Sequence, residues 1–153
     1  MTGVLEVHHH SVAGFEIPVP AGWERTEDVD GCALVAVEPA REQPHLRASV
    51  VVTVELLEDA EGWEDRSLAA VQDALIRHRV LDDAEVAIGG HRARRVLSHY
   101  VHSQFGGVNL EQWLIAHRGL GYVISCSTAA LEYDDMWDVM NAVADGFRPA
   151  GTR

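Results

Sequence analysis

Histidines are the residues whose type most readily suggests chemistry here, and nine of them occur in 153 residues. Three are consecutive, His8 to His10, and neutral imidazoles bind zinc or nickel when the segment that carries them is flexible. The run lacks the spaced ligands and the outer hydrogen-bond partners of a structural metal site. We therefore expect adventitious metal binding at most, and we predict no functional metal and no cofactor.

A second group of candidate residues lies in the middle of the chain. His99, Glu111 and His117 fall on two apparent strands joined by residues 103–107. If that loop is symmetric, His99 faces Glu111 across the hairpin, and His117 lies on the same face of the sheet. Such a set is typical of an acid/base or ligand cluster. Most cross-strand pairs of this kind are satisfied structural contacts, and both interpretations stay open.

The sequence offers three candidate nucleophiles in one run, Ser125, Cys126 and Ser127, but no motif singles one of them out. Nucleophilic catalysis requires a base and an orienting group within reach of the nucleophile. The chain contains no GxSxG, GxxxxGK[ST] or GxGxxG pattern. All 12 basic residues are arginines, which excludes lysine nucleophiles and Schiff bases. We predict that the protein is not an enzyme.

Two other segments have the composition of partner surfaces. Residues 55–66 place six acidic residues around Trp63, and an exposed tryptophan is often a binding anchor. Alternatively, Trp63 folds back on the helix that follows, with the acids favouring the amino end of that helix. The run HRARR is the one basic concentration in the sequence. Its residues Arg92, Arg94 and Arg95 have three possible partners: acids of the same chain, a second copy of the chain, or an anionic ligand. Pairing within the chain is the preferred interpretation.

The charge balance and the lack of long apolar segments limit the classes of function that the protein can have. The chain has 12 basic and 24 acidic residues, a net charge of −12, which repels nucleic acid. Residues 1–14 have neither the basic region nor the apolar run of a secretory signal, and no segment is long enough to span a bilayer. We therefore expect a cytoplasmic protein that binds neither nucleic acid nor membrane. Cys32 and Cys126 lie in apolar runs, where free cysteines are usually buried.

Hydrophobic periodicity places these residues on a mixture of strands and helices. Residues 47–57 alternate between apolar and polar side chains, as a half-buried strand does. Helical spacing predicts two helices, over 65–79 and 131–145. Six further strands are predicted, at 15–19, 32–38, 85–88, 93–102, 108–117 and 122–127. Because no linker composition divides the chain, we predict one domain over 15–150 after a flexible segment, 1–14.

The hairpin formed by the strands at 93–102 and 108–117 is apolar on both faces. In the symmetric register Leu97 faces Trp113 on one face, and the other face also carries large apolar side chains. An antiparallel sheet that buries both faces needs cover on both sides. The sequence therefore predicts an α/β/α sandwich of the α+β class.

The helix over 131–145 carries the largest apolar stripe, which includes Tyr133, Met136, Trp137 and Met140. We predict that Trp137 is buried against the sheet, so that Trp137→Ala unfolds or nearly unfolds the domain. The alternative is that the stripe is the surface of a homodimer, with Trp137 as its anchor.

Several phrases, taken in order, resemble the PsbP-like superfamily and, within it, actinobacterial LpqN-type proteins of unknown function. They are FEIPVPAGWER, ASVVVTVELL, SLAAVQDAL, VAIGGHRARRV, LEQWLIAHRGLGYVISCS and GFRP. The resemblance covers nearly the whole chain and implies a mainly antiparallel sheet of six or seven strands between helices. It also implies a small non-catalytic domain. Many LpqN-type proteins are exported lipoproteins, whereas the residues before Cys32 form no lipobox.

The leading hypothesis is a non-enzymatic protein-interaction or accessory domain with an unknown protein partner. The alternative hypothesis is a protein that binds a small ligand or a metal through a His/Glu cluster on the central hairpin. One form of this alternative is a hydrolytic enzyme. Across both hypotheses the candidate binding residues are Trp63, Arg92, Arg94, Arg95, His99, Glu111 and His117.

Overall fold

The structure is a computed structural model that describes residues 3–149 and 151. Within these residues the chain forms nine strands and two α-helices. The strands are β1 (Leu5–His9), β2 (Glu16–Pro20), β3 (Glu24–Val29), β4 (Cys32–Val37), β5 (Ser49–Leu56), β6 (Arg79–Ile88), β7 (His91–His102), β8 (Gly106–His117) and β9 (Leu120–Ala129). The helices are α1 (Trp63–Ala74) and α2 (Tyr133–Asp145), and a 3-10 turn, Ala130–Glu132, precedes α2. None of the helices in these residues is long and apolar enough to cross a membrane.

Seven strands form one antiparallel sheet in the order β3-β4-β5-β9-β8-β7-β6. Leu68 of α1 lines a groove with Leu114, whereas Met140 of α2 is part of the core that contains Trp113. Because neighbouring residues of a strand point to opposite faces, the two helices cover opposite faces of the sheet. The predicted α/β/α sandwich, with the six or seven strands that the resemblance implied, is confirmed.

The amino-terminal hairpin corrects one prediction. Residues 5–9 form β1, which pairs with β2 in a separate two-stranded sheet, and so they do not belong to a flexible segment. Residues 1 and 2 of the predicted segment 1–14 lie outside the described residues. The hairpin joins α2 in covering one face of the large sheet, since α2 packs against β2. β3 was also not predicted, because its sequence ERTEDV is polar, as edge strands often are.

The core lies between the large sheet and the layer formed by α2 and the hairpin. Phe15, Tyr122 and Phe147 are fully buried, and their ring centroids lie 5.3 to 6.4 Å apart. As predicted, α2 ends just before Gly146. A Cβ atom at Gly146 would lie 2.2 Å from Cγ of Pro18, so the close contact between helix and hairpin requires glycine here.

The hairpin of β7 and β8 has a register that differs from the predicted one. His102 pairs with Gly106, which leaves a loop of three residues. The His102 Nδ1 atom accepts hydrogen bonds from two backbone amides of this loop, at 3.0 and 3.2 Å, and so stabilises the tighter turn. As a result His99 faces Asn109, and the predicted pairing of His99 with Glu111 is wrong.

Trp63, the first residue of α1, fixes that helix on the sheet. It is buried, and its Nε1 donates a hydrogen bond of 2.6 Å to Glu55 Oε1. Its ring lies against Gly121 of β9, where a Cβ atom would be 2.6 Å from the ring. The interpretation of Trp63 as an exposed anchor is therefore wrong. The alternative is met only in part, because Glu64 and Asp65 do lie in the first turn of the helix, whereas the Trp63 ring packs on the sheet and not over the helix that follows.

The contact between Trp63 and Gly121 gives a stability prediction. Gly121→Ala should lower the free energy of unfolding by about 1 to 3 kcal/mol, because the added methyl group must displace the indole ring. Ala116 faces Gly121 on β8 and is exposed, so Ala116→Ser is the control, with an expected change below about 0.5 kcal/mol. Urea unfolding measures both. Equal midpoints for Gly121→Ala and the wild type would contradict this packing.

Candidate functional site

Three arginines of β7 are neutralised within the chain. Each contacts carboxylates of the same molecule: Arg92 contacts Glu64 and Glu85, Arg94 contacts Asp65 and Asp83, and Arg95 contacts Asp82 and Glu111. The hydrogen bond from Arg94 lowers the pKa of Asp83. Self-pairing, the preferred interpretation of the HRARR run, is the arrangement in the structure. The free charge that a partner surface or an anion site would need is therefore missing at these arginines.

Glu111 is a buried carboxylate on the sheet face that α2 covers, and it is only 1% exposed. Its Oε2 accepts a hydrogen bond from Arg95 Nε, and its Oε1 accepts one of 3.3 Å from the Tyr133 hydroxyl. Across the hairpin it faces Leu97, which the predicted register had placed opposite Trp113. A buried carboxylate is stable only with such partners. Glu111 therefore joins β7, β8 and the first residue of α2.

The candidate nucleophiles are held in structural contacts. Cys126 faces Glu111 from β9, and burial raises the pKa of its thiol far above the ordinary value, which disfavours the reactive thiolate. Ser125 points to the other sheet face, and its Oγ accepts a hydrogen bond of 3.1 Å from Gln112. Within the described part of the chain, neither these two nor Ser127 bonds to a histidine. Cys32 and Cys126 are both free cysteines.

The predicted cluster of His99, Glu111 and His117 does not form. His117 lies six residues after Glu111 on β8, which is about 20 Å along a strand. Its ring packs edge-on against His91, with centroids 4.7 Å apart. The His99 ring lies over Gly107 at the other end of the hairpin. The three side chains share one sheet face but occupy three separate places.

The three consecutive histidines are ordered side chains that contact acids of the neighbouring strands. Their contacts are His8 with Glu27 at 2.9 Å, His9 with Glu16 at 3.3 Å and His10 with Asp28 at 3.0 Å. His10 is buried, and its Nδ1 accepts a hydrogen bond from the Ala13 amide. This bond directs the Nε2 proton to Asp28. The contacts of His8 and His10 therefore hold the hairpin of β1 and β2 against β3. The run is not the flexible segment that adventitious metal binding requires.

A group that the sequence analysis missed joins the loop after β4 to the turn before α2. Ligand-type atoms of Glu38, His45 and Glu132 lie within 4.8 Å of one another, a spacing compatible with a metal ion. Arg41 donates to both carboxylates, at 3.3 Å to Glu38 and 2.9 Å to Glu132. Its guanidinium already supplies positive charge at this place, so we interpret the group as an ion-pair cluster. Residues 41 and 132 are 91 positions apart, and no local sequence signal connects them.

Trp137 is 45% exposed, so the prediction that it is buried is wrong. The buried residues of α2 are Val139, Met140, Val143 and Ala144. Trp137 lies at the edge of this stripe, one helical turn after Tyr133 and on the same side of the helix. Tyr133 reaches the buried Glu111, while Trp137 stays partly in solvent.

The exposed side chains of the turn before α2 and of its first two turns form what we call the α2 surface, which consists of Leu131, Asp134, Asp135, Trp137 and Asp138. Leu131 is 99% exposed in the turn that precedes the helix, and all three aspartates are exposed. Asp134 lies one turn before Trp137 on the same side of the helix, Asp138 follows Trp137 directly, and Asp135 lies on the opposite side of the helix from Trp137. The α2 surface thus combines two large apolar side chains with three negative charges.

The buried carboxylate gives a prediction with a matched control. Glu111→Gln should lower the free energy of unfolding by about 3 kcal/mol, because it leaves the Arg95 guanidinium without its buried counter-charge. Asp82→Asn removes the exposed carboxylate that binds the same arginine, and it should cost less than about 1 kcal/mol. Urea unfolding at pH 7 measures both variants. Similar costs would show that burial does not set the strength of the Glu111 contact.

The cluster around Arg41 gives a pH prediction. The hydrogen bond from Arg41 lowers the pKa of Glu132 in the folded state. The contact therefore contributes its full stability above the unfolded pKa of about 4.3, and that stability is lost as the pH falls through the folded value. The difference in unfolding free energy between wild type and Glu132→Gln should shrink from pH 7 to pH 3. Glu42→Gln, at an exposed position of the same loop, is the control, and a pH-independent difference for Glu132→Gln would refute the assignment.

No family model and no curated protein matches the sequence, but solved structures match its fold. Cyanobacterial PsbP (CyanoP) from Synechocystis sp. PCC 6803 has a TM-score of 0.74 at 15% identity, covering 97% of this chain and 94% of that one. LpqN of Mycobacterium tuberculosis, described as involved in cell envelope biogenesis, has a TM-score of 0.69 at 15% identity, covering 96% and 91%. The Ran-binding protein Mog1p of Saccharomyces cerevisiae has a TM-score of 0.64 at 15% identity, covering 97% and 96%. Identities this low show the fold alone, and the chain has the PsbP-like fold.

Proposed function

We propose that the protein is a non-enzymatic protein-interaction domain whose contact surface is the α2 surface, centred on Trp137. The observation that carries the proposal is the 45% exposure of this tryptophan, to which a fully exposed leucine, Leu131, adds in the turn before the helix. Partly buried aromatic side chains are typical binding anchors, because they offer a large contact area at a small cost in conformational entropy. Trp137 is held in place because the turn before it is fixed through Tyr133 and Glu111.

The charges of the α2 surface favour a basic partner. Asp134, Asp135 and Asp138 lie in the same two turns of α2 as Trp137, and among the described residues none of the three has an ion-pair partner. A partner with an apolar pocket for Trp137 and a rim of lysine or arginine would neutralise these charges on binding. Such complementarity mainly increases association rate and specificity. We therefore expect the affinity to fall as the salt concentration rises.

A second copy of the chain fits the α2 surface less well. A two-fold dimer places the same patch of both subunits in contact. Two α2 surfaces in contact around Trp137 would then bring Asp134 and Asp138 of both subunits together in a protein whose net charge is already −12. Like charges placed against each other in an interface cost several kcal/mol. The homodimer that the sequence analysis left open is therefore the less favoured occupant.

Other observations support a binding role over catalysis. The thiol of Cys126 is buried with a raised pKa, and Ser125 is bonded to Gln112. One structural neighbour is named for binding the protein Ran, so the PsbP-like fold can present a surface to a protein partner. That neighbour does not identify the partner of this chain, since one fold hosts unrelated binding functions. We also propose a cytoplasmic location, with which the two free cysteines, Cys32 and Cys126, are consistent.

Trp137→Ala should leave the protein folded. Because 45% of the side chain is already in solvent, we expect a loss of about 1 to 2 kcal/mol in unfolding free energy, well under the 3 to 5 kcal/mol of a buried tryptophan. Trp113→Ala, at a buried tryptophan of the sheet, is the comparison and should show the larger loss. Urea unfolding of both variants is the measurement. Equal losses would mean that Trp137 is a core residue.

The partner is sought by photo-crosslinking in the cells that make the protein, with benzoylphenylalanine at position 137 or at position 56. Leu56 is exposed on β5 and provides the control site. We expect a basic protein to be crosslinked from position 137 and not from position 56. Once purified, this crosslinked partner should bind the Trp137→Ala variant at least about 10-fold more weakly than it binds the wild type or the Leu56→Ala variant. Crosslinks to a second copy only, or equal binding of the variants, would overturn the proposal.

A further inference from the structure

A cavity of about 310 Å³ opens beside the start of β6, and it is lined by Arg77, Arg79, Leu81, His99 and Val101. Arg79 and His99 face each other across β6 and β7. Arg77 belongs to the connection between α1 and β6, where the amide of Val101 donates a hydrogen bond of 3.0 Å to the carbonyl of the residue before Arg77. The backbone of Arg77 has a φ of 53°, an uncommon value for a residue other than glycine.

The two arginines of this cavity differ from the arginines farther along the same sheet edge. Arg92, Arg94 and Arg95 each contact two or more carboxylates. Arg77 and Arg79, by contrast, have no hydrogen-bond or ion-pair partner among residues 3–149 and 151. The nearby acids of β6 are already occupied, because Asp82 and Asp83 bind Arg95 and Arg94. The cavity therefore holds two uncompensated positive charges in a protein with twice as many acidic as basic residues.

We propose that this cavity binds the oxyanion group of a small ligand, a carboxylate or a phosphate. Guanidinium groups bind both anions through paired charge-assisted hydrogen bonds. His99 also lines the cavity, and its imidazole supplies a further polar group. Leu81, 52% exposed, and Val101 form an apolar wall beside these groups. The ligand is therefore an oxyanion on a short apolar body.

This site is independent of the α2 surface. It lies between β6, β7 and the end of α1, and none of its lining residues belongs to α2. Failure of either proposal therefore leaves the other standing. Trp137→Ala should not change the affinity of the cavity, which distinguishes the two experimentally.

Titrations followed by ¹⁵N NMR test the proposal, with inorganic phosphate, hexyl phosphate and hexanoate as probes at constant ionic strength. We expect saturable shifts of the amides of Arg79, His99 and Val101. Either hexyl phosphate or hexanoate should bind at least about 10-fold more tightly than inorganic phosphate, because the apolar wall is then covered. The probe that binds more tightly identifies the oxyanion. Absence of saturable shifts with all three probes would overturn the proposal.

Arginine variants distinguish a specific binding site from nonspecific attraction of the anionic probe to arginine side chains. Arg77→Gln and Arg79→Gln should each weaken binding of the tighter probe at least about 10-fold, since each removes a charge-assisted contact. Both positions are exposed, and the dispersion of the NMR spectrum verifies that each variant is folded. Arg66→Gln is the matched control at an exposed arginine of α1, and it should leave the affinity unchanged. Equal affinities of all three variants and the wild type would show that the cavity arginines do not bind the probe.

Discussion

The burial of one carboxylate, that of Glu111, constrains how the layers of this protein fit together. An ionised carboxylate can remain in a nearly dry environment only when charged and hydroxyl donors surround it. Arg95 supplies one donor from β7, and Tyr133 supplies the other from the first residue of α2. The start of α2 is therefore tied to β8, and the rest of the helix lies along β9 and β2, where Met140 and Val143 are buried.

The same constraint determines what the surface presents. The hydrogen bond between Tyr133 and Glu111 fixes how α2 is rotated about its own axis. In this orientation Trp137 lies at the edge of the buried stripe, and the aspartates of the first two turns face solvent. On the sheet edge, the acids of β6 and α1 neutralise the arginines of β7 and leave those of the cavity beside β6 without partners. The protein thus has a surface with apolar and acidic side chains on α2 and a small basic cavity at the β6 edge of the sheet.

Local patterns were sufficient for the strongly periodic elements and insufficient for the contacts between them. The strand predicted over 47–57 is observed as Ser49–Leu56, and both helices were predicted, because an amphipathic face leaves a clear period in the sequence. β1 and β3 lacked this period, since they are short and largely polar. The register of β7 and β8 depends on a turn that a histidine side chain stabilises, which loop symmetry does not reveal. Trp137 was misplaced because an apolar residue at the border of a helical stripe fits either side of it. The contacts of Glu111 with Arg95 and Tyr133 fix the orientation of the helix, and these partners are 16 and 22 residues away from Glu111 in sequence.

The central claim is that Trp137 is open to solvent in the free protein and is covered when the partner binds. Hydroxyl-radical footprinting read by mass spectrometry measures this directly, because it reports the oxidation of each tryptophan separately. We predict that Trp137 is oxidised readily in the free protein while Trp63 and Trp113 are protected, and that Trp137 becomes protected in the complex with the crosslinked partner. Protection of Trp137 in the free monomer, or unchanged oxidation of Trp137 in the complex, would contradict the account.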